Sequence, residues 1–106
     1  MVCRLPHNMA RLRFRRLERF AERLVGLLGT DPQAEPVALC GCSSIHTFGM
    51  AYAIDVAFVR LDGYVVLSRR ALVPGRLLFA MGAYYALERP TSAAPWPKEG
   101  IRVQIC

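Results

Sequence analysis

A chain of 106 residues with 54% apolar and 21% charged side chains has room for one core and is too apolar to remain disordered. Its longest apolar run, Leu77 to Leu87, falls short of the roughly 20 residues that span a bilayer as a helix. The net charge of +6 would attract phosphates, anionic lipid or an acidic partner.

The N-terminus, M-V-C-R-L-P-H-N, lacks the apolar core of a secretory signal, so the protein is expected to be cytoplasmic and its four cysteines reduced. Residues 1–106 are read as a single domain, with a core from about 12 to 105. Seven arginines in the first thirty residues, facing only Glu18 and Glu22, form a basic segment. Arg11, Arg13, Arg15, Arg16, Arg19 and Arg23 make up its dense part. It carries no interleaved aromatic residues for stacking bases, so a solvated face is the simpler reading. Nucleic-acid or anionic-surface binding is the sharper one.

Ala10 to Arg15 alternates apolar residues with arginine and predicts a strand. From Leu17 to Leu28 the apolar spacing becomes i, i+3, i+4, which predicts a short amphipathic helix, stopped by Gly29 and Pro32. Val37 to Leu39, Ile45 to Met50 and Ile54 to Leu61 read as strands. Asp62-Gly63 predicts a two-residue type I′ hairpin turn, with Tyr64 to Ser68 as the returning strand. That turn would set Val59 opposite Val66, Phe58 opposite Leu67 and Asp55 opposite Arg70, giving Asp55 a purely structural ion pair. Pro74-Gly75 marks a turn. Ala83 to Glu88 is read as a strand ending before Pro90, and Gly100 to Ile105 as a closing one. Trp96, in the proline-rich Pro90–Pro97 loop, is expected to plug the core. Six or so short strands and one helix predict a mainly β fold: a small antiparallel β-barrel or jelly-roll-like sandwich with one short N-terminal amphipathic helix.

The run Cys42-Ser43-Ser44-Ile45-His46-Thr47-Phe48-Gly49-Met50, followed by Ile54-Asp55-Val56-Ala57-Phe58, resembles the signature of the bacterial and archaeal DUF192 family. Glu22 to Leu28 is similar to that family's R-x-x-G-L-M element, Leu72 to Arg76 to its L-x-P-x-R turn, and Leu87-Glu88 to its V-L-E strand end. The resemblance implies a small mainly-β barrel or jelly roll in which a strand precedes the helix. It implies no defined reaction, substrate or cofactor, and its members include secreted and cytoplasmic forms, sometimes beside secretion or pilus genes. Arg89-Pro90-Thr91 and Val103-Gln104 stand where the family has Pro-Ala-Gly and an acidic Gly-Asp pair, and Gly49 where it has an aromatic residue.

Chemistry concentrates between Cys40 and Asp55. Cys40, Cys42 and His46 are suitable zinc ligands, with Cys3, Cys106 or His7 available as a fourth. The C-x-C spacing is not that of a zinc knuckle, and buried hydrophobic thiols are the simpler reading, so no cofactor is expected and zinc is the alternative. A thiol enzyme would use Cys42 as nucleophile, His46 as base and Asp55 as orienter; no complete triad spacing supports it, and catalysis is not expected. The favoured reading is a binding or accessory module, in a bacterial secretion or envelope context, for a protein or small ligand. Its contact surface is placed where Ser43, Ser44, His46, Thr47, Asp55, Pro74 and Arg76 converge at one end of the barrel.

Overall fold

Three strands, β4 (Val37–Cys40), β6 (Ile54–Val59) and β9 (Tyr85–Pro90), are buried on both faces, so their alternation feeds two separate cores. Ala38, Cys40, Ala57, Val59, Tyr85 and Leu87 enter one core. Val37, Leu39, Ile54, Val56, Phe58 and Ala86 enter the other. The computed structural model describes residues 1–6 and 9–106, without the side chains of Phe20, Ala21 and Leu24.

The central sheet has five strands in the order β3-β4-β9-β6-β7, with β3 at Arg15–Leu17 and β7 at Val65–Leu72. A second sheet joins β1 (Val2–Arg4), β2 (Arg11–Arg13) and β10 (Gln104–Ile105), in the order β10-β1-β2. It closes the first core with Cys3, Leu5 and Val103, beside Phe14 and Trp96. A two-stranded ribbon of β5 (Ser44–His46) and β8 (Leu77–Phe79) covers the second core together with α1 (Phe20–Val25) and the turn after it. Ile45 and Leu27 are buried contributions of these segments, and Leu17 at the end of β3 joins them.

Among the described residues no sheet closes, so the architecture is a layered sandwich and not a barrel. The predicted strand over Ala10 to Arg15 breaks at buried Phe14, where the chain leaves the second sheet and joins the central one as β3. Leu17, assigned by its spacing to the helix, ends β3 in the core. The expected N-terminal amphipathic helix is therefore not formed over its predicted length. Six residues are helical, and most of its predicted apolar face (Phe20, Ala21, Leu24) lies outside the described side chains. β3 runs parallel to β4, the one parallel pair of a sheet expected to be antiparallel, because α1 and the loop after it carry the chain back to start β4 alongside.

The Asp62-Gly63 hairpin forms with a different turn. A type I′ turn needs positive φ at both central residues, whereas Gly63 takes φ 90° and Asp62 does not. Gly63 N–H donates to Arg60 O, and Arg60 N–H donates to Tyr64 O, closing a three-residue loop with Gly63 in the left-handed position. Phe58 still faces Leu67, but the extra loop residue sets Val59 opposite Val65 rather than Val66. Gly63 also lies against the C-terminal segment, where an added Cβ would meet Val103 O at 2.1 Å. Among the described residues no helix is long and apolar enough to cross a membrane.

Candidate ligand site

Glu88 lies in the middle of β9, in register with Val37 on one side and Val56 on the other. Alternation from Ala86 turns its side chain into the second core, where it is only 4% exposed. Gly26, just past α1, covers it. At φ 52° its backbone comes so close that a Cβ there would lie 2.9 Å from Glu88 Oε1. Burial pushes the Glu88 carboxyl from 4.5 up to about 7, partly offset by the Leu27 N–H, which donates to it. No charged neighbour contributes to that displacement.

Glu88 forms part of the wall of a cavity of about 300 Å³ between the α1 turn, the end of β4, the ribbon and β6. The wall is otherwise mainly apolar, with Leu27, Leu39, Ile45, Met50, Ile54 and Leu77 contributing. Cys42, Ser44 and His46 also line it, as does Arg23 of α1. Arg23 Nη1 donates to Cys40 O and Gly41 O, each at 3.1 Å, tying the helix to the turn between β4 and β5. Its Nε is buried and has no hydrogen-bond partner. In the sequence Glu88 marks only a strand end. A lone acid closing the apolar Ala83–Leu87 run was the available signal.

Among the predicted metal ligands, Cys40 and Cys42 part company. The backbone turns at Gly41 (φ 68°), so Cys40 points into the first core and Cys42 packs against the second. Burial raises the Cys40 thiol, and burial with the neighbouring Cys106 raises Cys3 to about 12, which opposes the thiolate form that zinc binds. Cys42 Sγ donates to Ser44 O at 2.9 Å, and His46 is exposed and stacked on Phe48 at 5.5 Å between ring centroids. Cys106 is exposed at the C-terminus, and His7 lies outside the described residues. Among the described residues no three His, Cys, Asp or Glu side chains are grouped to hold a metal ion.

Asp55 does not join Cys42 and His46, nor the predicted surface. It is fully buried and accepts from Arg89 Nε (2.9 Å), Thr91 Oγ1 (2.8 Å), Ala71 N (2.9 Å) and Ser92 N (3.3 Å). Its ion-pair partner is Arg89 on β9, its register neighbour, and not Arg70. The β6–β7 ladder slips between Ile54 and Val56 and aims the Ala71 N–H at the carboxylate instead. Burial alone would raise the Asp55 carboxyl, but the Ala71, Thr91, Arg89 and Ser92 donors together lower it. Arg89 also donates to Pro95 O and Ala94 O and lies 4.5 Å from the Trp96 ring centroid. Trp96 is buried and donates from Nε1 to Val56 O at 3.2 Å, so it plugs the core as expected. Arg70 donates to Ser92 O and Ala94 O from outside the same loop.

Thr47 is buried and clamps the Val73–Arg76 turn: Oγ1 donates to Val73 O (2.9 Å) and accepts from Arg76 N (2.8 Å). Thr47, Pro74 and Arg76 are thus neighbours, with Ser43, Ser44 and His46 exposed on the adjoining segment and ribbon. Within the ribbon His46 pairs with Leu77 and Ser44 with Phe79. Phe48, Leu77, Phe79 and Met81 are 55%, 66%, 71% and 88% exposed there and in the adjoining turns. The basic segment is distributed over two sheets. Arg11 and Arg13 lie on β2, Arg15 and Arg16 on β3, and Arg19 precedes α1. Arg15 pairs with Glu35 and Arg16 with Glu18, while Arg23 keeps its charge and is tied to the two carbonyls.

No protein-family model matches the chain, and no curated protein matches it. The fold is similar to the crystal structure of a protein of unknown function from Novosphingobium aromaticivorans DSM 12444, at 20% identity and a TM-score of 0.74, over 98% of this chain and 84% of that one. At this identity the likeness is one of fold.

Proposed function

We propose that the chain is a small-molecule-binding module of the DUF192 type, whose ligand sits in the cavity between α1, the ribbon and Glu88. The observation that carries this reading is a carboxyl buried in a mainly apolar cavity of about 300 Å³, at the small end of the range for ligand pockets (about 300–1,000 Å³). An acid displaced to about 7 by burial weakens the empty protein, and such groups cluster at functional sites. The unpartnered Arg23 Nε adds a donor at the same wall. Apolar walls with a few fixed polar groups bind and orient a small ligand. Support for the family assignment is the order and spacing of the S-I-H-T-F and I-D-V-x-F motifs, the L-x-P-x-R turn and the strand end at Glu88. Binding is favoured over catalysis because Asp55 is buried in an ion pair with Arg89, apart from the exposed His46.

A fragment library screened by ligand-observed NMR tests the reading, with Ser44→Trp as the control that fills the cavity rim from an exposed ribbon position. Hits on the wild-type protein that Ser44→Trp abolishes support it. An absence of hits, or hits indifferent to Ser44→Trp, would refute it.

A further inference from the structure

From the character of the cavity wall we infer that the ligand is an apolar amine, with its ammonium paired to Glu88 and its hydrocarbon body against Leu39, Ile45, Met50, Ile54 and Leu77. This rests on the reading of the cavity as a ligand site and specifies what enters it. Glu88 is the one acid of the wall, and it is buried where water does not solvate it. Among the described residues the Leu27 N–H is the donor at its carboxyl, and no cationic side chain pairs with it. A buried carboxylate without a counter-charge is unfavourable, and a ligand cation removes that penalty while making a charge-assisted hydrogen bond.

The arginine of the wall, Arg23, is held at Nη1 by the carbonyls of Cys40 and Gly41 and contributes nothing to the displacement of Glu88, and its Nε is a separate donor of the same wall. His46 stands at the exposed ribbon, stacked on Phe48. An anionic head placed at Glu88 would meet a like charge. Gly26 matters to this geometry: its missing Cβ leaves room for the carboxyl under the α1 turn, holding the acid at the wall.

The test is isothermal titration of hexylamine, hexanol and hexanoate, which share one hydrocarbon body and differ in the head. The expected result is hexylamine binding about tenfold or more tightly than hexanol, because a charge-assisted hydrogen bond exceeds a neutral one by about that factor, with hexanoate weakest. In Glu88→Gln, hexylamine falls to the level of hexanol while hexanol is unchanged. Equal affinity of hexylamine and hexanol for the wild-type protein overturns the inference, as does an amine preference that survives Glu88→Gln. Should Glu88→Gln fail to fold, the three-compound series on the wild-type protein decides alone. Library hits blocked by Ser44→Trp but showing no amine preference leave the cavity reading standing and sink only this inference. If no compound of either set binds, both fall.

Discussion

Replacing Glu88 by Gln is expected to stabilise the protein at alkaline pH and to change little at acid pH. The carboxyl is displaced from 4.5 in the unfolded chain to about 7 in the folded one, so the native state holds its proton more tightly. For a raised acid the contribution is fully present below 4.5 and is lost as pH rises through about 7. The displacement corresponds to about 3 kcal/mol in total, of which about 2.5 kcal/mol is lost between pH 5 and pH 8. Gln keeps the shape and an oxygen for the Leu27 N–H but does not ionise, so that loss disappears. Urea unfolding of both proteins at pH 5 and pH 8 reads the difference. The wild-type protein should lose about 2.5 kcal/mol relative to Glu88→Gln over that interval. A stability difference between the two that is the same at both pH values would refute the argument that burial, without a counter-charge, governs this carboxyl.

Asp55→Asn leaves Arg89 buried beside Trp96 without its counter-charge, and a loss of about 3–5 kcal/mol in urea unfolding is expected. Because the Asp55 carboxyl is lowered on folding, its stabilising contribution is present above about 3.8 and is lost as pH falls through the depressed value, so wild type should weaken in strong acid and Asp55→Asn should do so less. Trp96→Ala removes a core ring and its bond to Val56 O and should cost about 3–5 kcal/mol; an unchanged denaturation midpoint would place the ring outside the core. Under brief iodoacetamide treatment of the native protein, mass spectrometry should find Cys106 modified first and Cys42 more slowly, while Cys3 and Cys40 react only after unfolding; early labelling of Cys3 contradicts its burial. Gly63→Ala meets both a positive φ and the Val103 carbonyl, and should lower stability by more than about 1 kcal/mol on thermal unfolding.

Local chemistry made much of the β framework legible. Short runs of apolar, β-branched and aromatic residues located β4, β6 and β9 within a few positions, because a strand buried on both faces reads as a nearly continuous apolar stretch. Asp62-Gly63 announced a hairpin, Pro74-Gly75 a turn, and an aromatic ring between two prolines a core plug, since each depends on residues adjacent in sequence. The same reasoning could not choose among turns that differ by one residue, so the pairing of Val59 shifted. It also could not see that Phe14 would end one strand and start another in a different sheet. Leu17 followed a helical spacing and still ended a strand, because packing against Val37 and Leu39 outweighs a weak local preference.

The composition and order of the residues alone determined that the chain is β-rich, basic and without an apolar stretch fit for a membrane helix. Tertiary structure decided the site. Asp55 took Arg89 instead of Arg70 because β9 lies beside β6 on the side opposite β7, an order no local pattern encodes. Cys40 and Cys42 separated because one turn at Gly41 sent them to different cores. Glu88 became the polar centre of a cavity because strand order placed β9 in the middle of the sheet and the turn at Gly26 closed over its side chain. Burial depends on what the rest of the chain brings against a residue. It is therefore a property of long-range contacts, and burial is what turned an ordinary glutamate into an acid poised near neutrality.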